Sequence, residues 1–150
     1  MEKIWQVGVV VRNLDRAVNA LMELIGSKDK PLYNQVGRIL STDDCGTVYK
    51  GDAQSMASCI TCCISFENIE LEFIQPYGEA PSEWKDFLEN HGEGIHHLGF
   101  KIEDVESAQR KFQSEGYEEV QSGRWGEGEY HYFDTKSAVG FAIELMHFYQ

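Results

Sequence analysis

Basic side chains are scarce in this chain: 13 Lys and Arg stand against 25 Asp and Glu, a formal charge of −12 at pH 7. They form no basic patch, so nothing offsets the repulsion of a nucleic-acid backbone or an anionic lipid surface, and neither partner is expected. Long apolar runs are missing as well. No stretch approaches the roughly 20 residues of a membrane-spanning helix, and Met1-Glu2-Lys3-Ile4-Trp5-Gln6 has no apolar signal region, so residence in the cytoplasm is expected. Cysteine is confined to Cys45, Cys59, Cys62 and Cys63. Cys59-Ile60-Thr61-Cys62 has C-x-x-C spacing, but it lies in a β-branched run to Phe66 that reads as a strand, with Cys62 and Cys63 on opposite faces. The thiols are expected to be reduced core filler. What remains is a chain of 150 residues, 42% hydrophobic. That is the size of one domain, able to bury about two thirds of its unfolded surface.

The chain repeats itself. Ile4-Trp5-Gln6-Val7-Gly8-Val9-Val10-Val11-Arg12-Asn13-Leu14-Asp15-Arg16-Ala17 aligns without a gap on Ile95-His96-His97-Leu98-Gly99-Phe100-Lys101-Ile102-Glu103-Asp104-Val105-Glu106-Ser107-Ala108, at an offset of 91 positions. Each copy later reaches a strand carrying one carboxylate among apolar residues, Leu71-Glu72-Phe73 and Ile143-Glu144-Leu145. Within each copy the pattern predicts a strand, a helix and further strands. Residues 4 to 11 read as an apolar strand, Asn13 caps a helix whose apolar face runs from Leu14 to Ile25, and Gly26 stops it. In the second copy, residues 95 to 102, the Asp104 cap, Val105, Ala108 and Phe112, and the Gly116 stop play the same parts. Further strands are predicted near Tyr33 to Leu40, Thr47 to Tyr49, Cys59 to Phe66, Ile69 to Gln75, Glu118 to Gln121, Glu129 to Asp134 and Phe141 to Phe148. Pro81 to Leu88 reads as a short connecting helix capped by Ser82.

Duplication brings Gln6 and His97 to one kind of position, and Glu72 and Glu144 to another. Gln6 shares its strand face with Gly8, and His97 with Gly99; a glycine inside a strand marks a place where something approaches the sheet closely. Glu144 lies between Ala142 and Met146 on its face, an apolar setting where an ionised carboxylate needs a partner. Glu72 shares its face with Glu70, which reads as a solvated neighbour, and only the repeat singles Glu72 out. If the halves pack about a pseudo-twofold, Gln6, Glu72, His97 and Glu144 converge on one concave face. Three oxygen donors and an imidazole, with places left for water, suit one divalent ion such as Zn, Ni, Co, Mn or Mg. His96, one residue out of phase, is expected on the opposite face with Trp5, packed under a helix as a structural residue. His91 and His131 acquire no role.

Tandem β-α-β-β-β modules with these polar residues on their first and last strands resemble the vicinal oxygen chelate superfamily of glyoxalases, bleomycin-resistance proteins and dioxygenases. The resemblance implies an α+β fold over 1–150, with module one near 1–75, a connector at 76–94 and module two near 95–150. Both modules would curve into a mixed sheet around a metal site, with helices on the outer face. Gly94-Ile95-His96-His97-Leu98-Gly99-Phe100, Glu72-Phe73-Ile74-Gln75-Pro76 and Lys136-Ser137-Ala138-Val139-Gly140-Phe141-Ala142-Ile143-Glu144-Leu145 are similar to the methylmalonyl-CoA epimerase branch. That branch implies metal-dependent removal of a proton next to the carbonyl of an acyl thioester. Glu144 and Glu72 would be the catalytic carboxylates, and Lys136 and Ser137 would touch the substrate. With Gln6 in first place the set becomes Gln/Glu/His/Glu, which is similar to eukaryotic-type glyoxalase I, a lyase. Val10 and Pro76 occupy the positions where glyoxalase I carries its glutathione-contacting arginine and asparagine. A small-molecule binder on the same fold is the third reading. The repeat leaves two assemblies open, one cup closed within a chain or halves exchanged across a homodimer.

Overall fold

The computed structural model describes residues 3–27, 31–37 and 46–150. Its elements run β1 (Lys3–Val10), α1 (Leu14–Ile25), β2 (Leu32–Gly37), β3 (Val48–Tyr49), β4 (Ser58–Ser65), β5 (Glu70–Pro76), α2 (Glu83–Asn90), β6 (Gly94–Lys101), α3 (Val105–Ser114), β7 (Glu119–Trp125), β8 (Gly128–Phe133), α4 (Lys136–Val139) and β9 (Ala142–Phe148). The starts of α1, α2 and α3 fall where short polar side chains can accept from the first free backbone amides. Asn13 accepts from the Arg16 amide at 2.9 Å, Ser82 from Lys85 at 3.0 Å and Asp104 from Ser107 at 2.9 Å. Gly26 ends α1 at φ 67°, a left-handed conformation open to a residue without Cβ. Residues 38–40 of the expected second strand, and Cys45, lie outside the described residues.

All the strands described join one mixed sheet in the order β2-β4-β5-β1-β6-β9-β8-β7-β3. Its centre is the antiparallel pair β1 and β6, and each of these pairs in parallel with the last long strand of its own half, β5 or β9. The register repeats the duplication: Gly8 lies opposite Glu72, and Gly99 opposite Glu144. The Thr47 to Tyr49 segment departs from the modular expectation. As β3 it pairs with β7 at the far edge of the second half, Val48 against Ser122 and Tyr49 against Gln121. The four residues of α4 were not anticipated, because so short a segment shows no helical period.

Helices α1 and α3 cover the outer face of the curled sheet. Val11, Leu14 and Val18 pack on Cys62, Ile64 and Phe73, while Ile102 and Phe112 pack on Phe133 and Leu145. The connector α2 goes to the other side. Trp84 and Phe87 join Val10, Cys59, Ile74, Val120, Tyr130 and Tyr132 in a cluster on the concave face. Val10 and Ile74 lie an even number of positions along their strands from Gln6 and Glu72, and Tyr132 and Tyr130 pair with Glu144 and Met146, so these residues share one side of the sheet. Cys59 and Cys62 are free and buried, and Cys63 is free and half-buried.

Candidate active site

Gln6, on β1, is buried because β1 sits at the sheet centre with its even positions inward. His97 on β6 and Glu144 on β9 are buried on the same face, and Glu72 on β5 is mostly covered. The four side chains meet at one atom, His97 Nε2. Gln6 Oε1 lies 3.3 Å from it, Glu144 Oε2 3.1 Å and Glu72 Oε2 3.8 Å. The two glycines make this approach feasible. A Cβ on Gly8 would stand 1.9 Å from His97 Cε1, and a Cβ on Gly99 would stand 2.9 Å from Glu144 Oε2 and 3.2 Å from Gln6 Cβ. What approaches each glycine is therefore a polar side chain of the neighbouring strand.

Alternation misplaces His96. In β6 the register against β1 slips between Gly8, opposite His97, and Val9, opposite Ile95, which leaves His96 as the extra residue of a β-bulge. A bulge interrupts the two-residue period, and the side chain that should point outward is re-aimed. His96 is fully buried on the concave side. Its Nδ1 lies 3.1 Å from His97 Nδ1, and its ring centroid 5.4 Å from that of Tyr132. A matching slip between Ile4 and Gln6 makes Trp5 the extra residue of β1, 91 positions earlier. Trp5 reaches Phe148, at 5.6 Å between centroids, on the face that carries Glu144. The duplication thus carried a pair of bulges as well as a pair of polar positions.

Behind His97 a polar chain continues to the surface. His96 Nε2 lies 3.1 Å from Glu83 Oε1, and the same oxygen lies 2.5 Å from the Lys136 ammonium. Glu83 is almost fully buried, with its backbone amide donating to Gln121 Oε1 at 2.8 Å. Burial alone would raise the Glu83 pKa, but hydrogen bonds and charge from His96 and Lys136 hold it below the ordinary carboxylate range. Of the two expected substrate contacts, Lys136 is engaged by Glu83 and Asp134, while Ser137 is exposed on α4. Glu70 is not the solvated neighbour expected for it. It is half-buried, and its Oε1 accepts from Gln6 Nε2 at 2.7 Å, which turns Gln6 Oε1 toward His97. Sequence reasoning missed Glu83 and Tyr132 altogether. Tyr132 lies 5.0 Å from His97 between ring centroids and accepts from Trp84 Nε1 at 3.1 Å. The only signal for Glu83 was its place after the Ser82 cap.

The electrostatics call for a positive charge. Burial pushes the Glu72 carboxyl well above its usual range, and the charges of Glu144 and Glu70 push it further. Glu144 Oε2 is buried with no hydrogen-bond partner, although it faces His97 Nε2. A buried polar atom left so needs an explanation, and a cation among three oxygens and an imidazole nitrogen fits that donor set. Among the described residues, no group of three or more His, Cys, Asp or Glu is drawn up to metal-coordinating spacing.

A family model, the glyoxalase/bleomycin resistance protein/dioxygenase superfamily, matches residues 5–133. The chain belongs to this superfamily. Methylmalonyl-CoA epimerase from Mycobacterium tuberculosis superposes with a TM-score of 0.65 at 21% identity, over 99% of this chain and 89% of that one. A variant methylmalonyl-CoA epimerase of Streptomyces coelicolor in complex with 2-nitronate-propionyl-CoA gives 0.61 at 17% identity, over 99% and 98%. A hypothetical protein from Bacillus halodurans gives 0.64 at 14%, over 99% and 95%. At these identities the likeness is one of fold. No curated protein sequence matches significantly. No helix among the described residues is long and apolar enough to cross a membrane.

Proposed function

We propose that the chain is a metal-dependent epimerase or isomerase, similar to methylmalonyl-CoA epimerase, that moves a proton at the carbon beside the carbonyl of an acyl thioester. The observation that carries this reading is the pair of carboxylates, Glu72 and Glu144, brought from equivalent strands to 3.8 and 3.1 Å from His97 Nε2. Gln6 Oε1, Glu72, His97 Nε2 and Glu144 would hold the ion. A divalent ion supplies charge that polarises a carbonyl and lowers the cost of the enolate. The proton itself is the work of the carboxylates. Burial and the charges of Glu144 and Glu70 raise the Glu72 pKa, which makes its carboxylate a stronger base, and two carboxylates flanking one carbon can take a proton from one face and return it to the other. Glu144, among apolar neighbours, serves as ligand and base. Ser137, exposed on α4, and Lys136 are the substrate contacts that the epimerase motif implies. The test is solvent deuterium exchange into methylmalonyl-CoA with added Co, Ni, Mn or Zn. No exchange with any of the four ends the epimerase reading.

Gln6 supports one second reading, a glyoxalase I type lyase, because glutamine completes that enzyme's ligand set. Turnover of the methylglyoxal–glutathione hemithioacetal would establish it, and its absence would remove it.

A further inference from the structure

We propose that Lys136, Glu83 and His96 form a positioning relay that keeps the His97 proton on Nδ1 and so holds the Nε2 lone pair toward Gln6, Glu72 and Glu144. The relay rests on the reading of this cluster as a cation site. Its logic is donor and acceptor counting along one buried chain. Glu83, buried and 2.5 Å from the Lys136 ammonium, is held as a carboxylate, and a carboxylate only accepts. The nitrogen facing it at 3.1 Å, His96 Nε2, must then carry a hydrogen.

His96 is fully buried and shares its one carboxylate with an ammonium, so it stays neutral and its Nδ1 is bare. Bare Nδ1 accepts, and the group 3.1 Å away is His97 Nδ1, which must donate. With the cation in place, His97 with its hydrogen on Nδ1 would offer the lone pair of Nε2. That lone pair faces three oxygens. Gln6 cannot relieve the conflict by turning its amide, because its Nε2 already donates to Glu70 at 2.7 Å. The opposite polarity would point the bare His96 Nε2 at the Glu83 carboxylate. Glu83 thus determines, through His96, which side of His97 is open to a cation, the part that carboxylates play behind metal-bound histidines.

The bulge at His96 is what builds the relay. On a regular strand His96 would face α1 and α3, and His97 Nδ1 would have no partner on this side. The connector α2 supplies the rest, because its first turn places Glu83 against the concave face.

Long-range 1H–15N NMR of the full chain, metal-free and with added Zn2+, reads both tautomers directly. The expected spectra show a protonated Nδ1 on His97 and a protonated Nε2 on His96; a bare His97 Nδ1 or a bare His96 Nε2 overturns the relay. The wild-type spectrum needs no variant, so the proposal stays refutable if substitutions disturb folding. In a folded Glu83→Gln chain, Co2+ affinity by calorimetry should drop about 10- to 100-fold, in keeping with outer-shell changes elsewhere. Affinity equal to wild type would refute the relay. Expected tautomers in a chain that exchanges no deuterium into methylmalonyl-CoA would sink the epimerase reading and support the relay.

Discussion

Gly8→Ala is the sharpest probe of how the sheet makes room for this site. Two effects oppose each other. Replacing glycine in a strand removes unfolded-state freedom, which on its own stabilises by roughly 0.4–1 kcal/mol. Against it, the new methyl would lie 1.9 Å from His97 Cε1, 2.3 Å from Nδ1 and 2.4 Å from Nε2, so the ring would have to retreat by about 1.5 Å to regain ordinary contact at 3.4 Å. The retreat is blocked. His97 has Tyr132 at 5.0 Å and His96 at 5.3 Å between centroids, and all three rings are buried. Overpacking of this kind costs about 1–3 kcal/mol, so the clash wins and a net loss of about 1–2 kcal/mol is expected in a denaturation curve. Any shift of that size also takes Nε2 away from Gln6 Oε1 and Glu144 Oε2. Co2+ affinity by calorimetry should therefore drop by at least tenfold. Gly99→Ala should be milder, because two of its contacts, Glu144 Oε2 and Met146 Sδ at 2.9 Å, are at or near the ends of flexible side chains. Gly126→Ala, with nothing within 4 Å, should match wild type. If Gly8→Ala is as stable as wild type and binds Co2+ equally well, the close approach of His97 to Gly8 is not real.

Glu144→Gln should reduce the proposed proton exchange by about 100-fold or more and weaken Co2+ binding, whereas Glu106→Gln, exposed on α3, should change neither. Equal behaviour of the two would mean that the buried carboxylate has no part in the chemistry. Glu83 carries an acid signature: its folded pKa is lowered, so its stabilising share is complete above the unfolded value near 4.3 and is lost as pH falls through the folded value. Urea titrations of Glu83→Gln should accordingly show lower stability at pH 7 but a shallower decline in acid, and parallel pH profiles would refute this. Lys136→Met leaves the Glu83 charge buried with only His96 beside it. With Lys136 partly exposed, a loss on the order of 1–3 kcal/mol is expected, and no change in urea midpoint would show that the ion pair is idle.

Much of this protein is local, and local features are legible in sequence. Asn13, Ser82 and Asp104 cap their helices through side-chain bonds to amides three residues on, so each start could be placed from nearby residues. The 91-residue repeat marks Gln6 and His97 as a pair, and their side chains do meet. The paired carboxylates followed from the same symmetry. Alternation failed at His96 and Trp5, because a bulge depends on the register between two strands far apart in sequence, and neither strand announces it alone. Glu70 looked solvated for a related reason: its partner, Gln6, comes from a strand 64 residues away. Nothing local could say that α2 would turn inward to bring Glu83 beneath His96, since an amphipathic helix fits either face of a curled sheet. The sequence by itself determined which side chains come in equivalent pairs. Only the tertiary structure decided which of them face one another, because side-chain direction depends on strand register and on the face each helix covers.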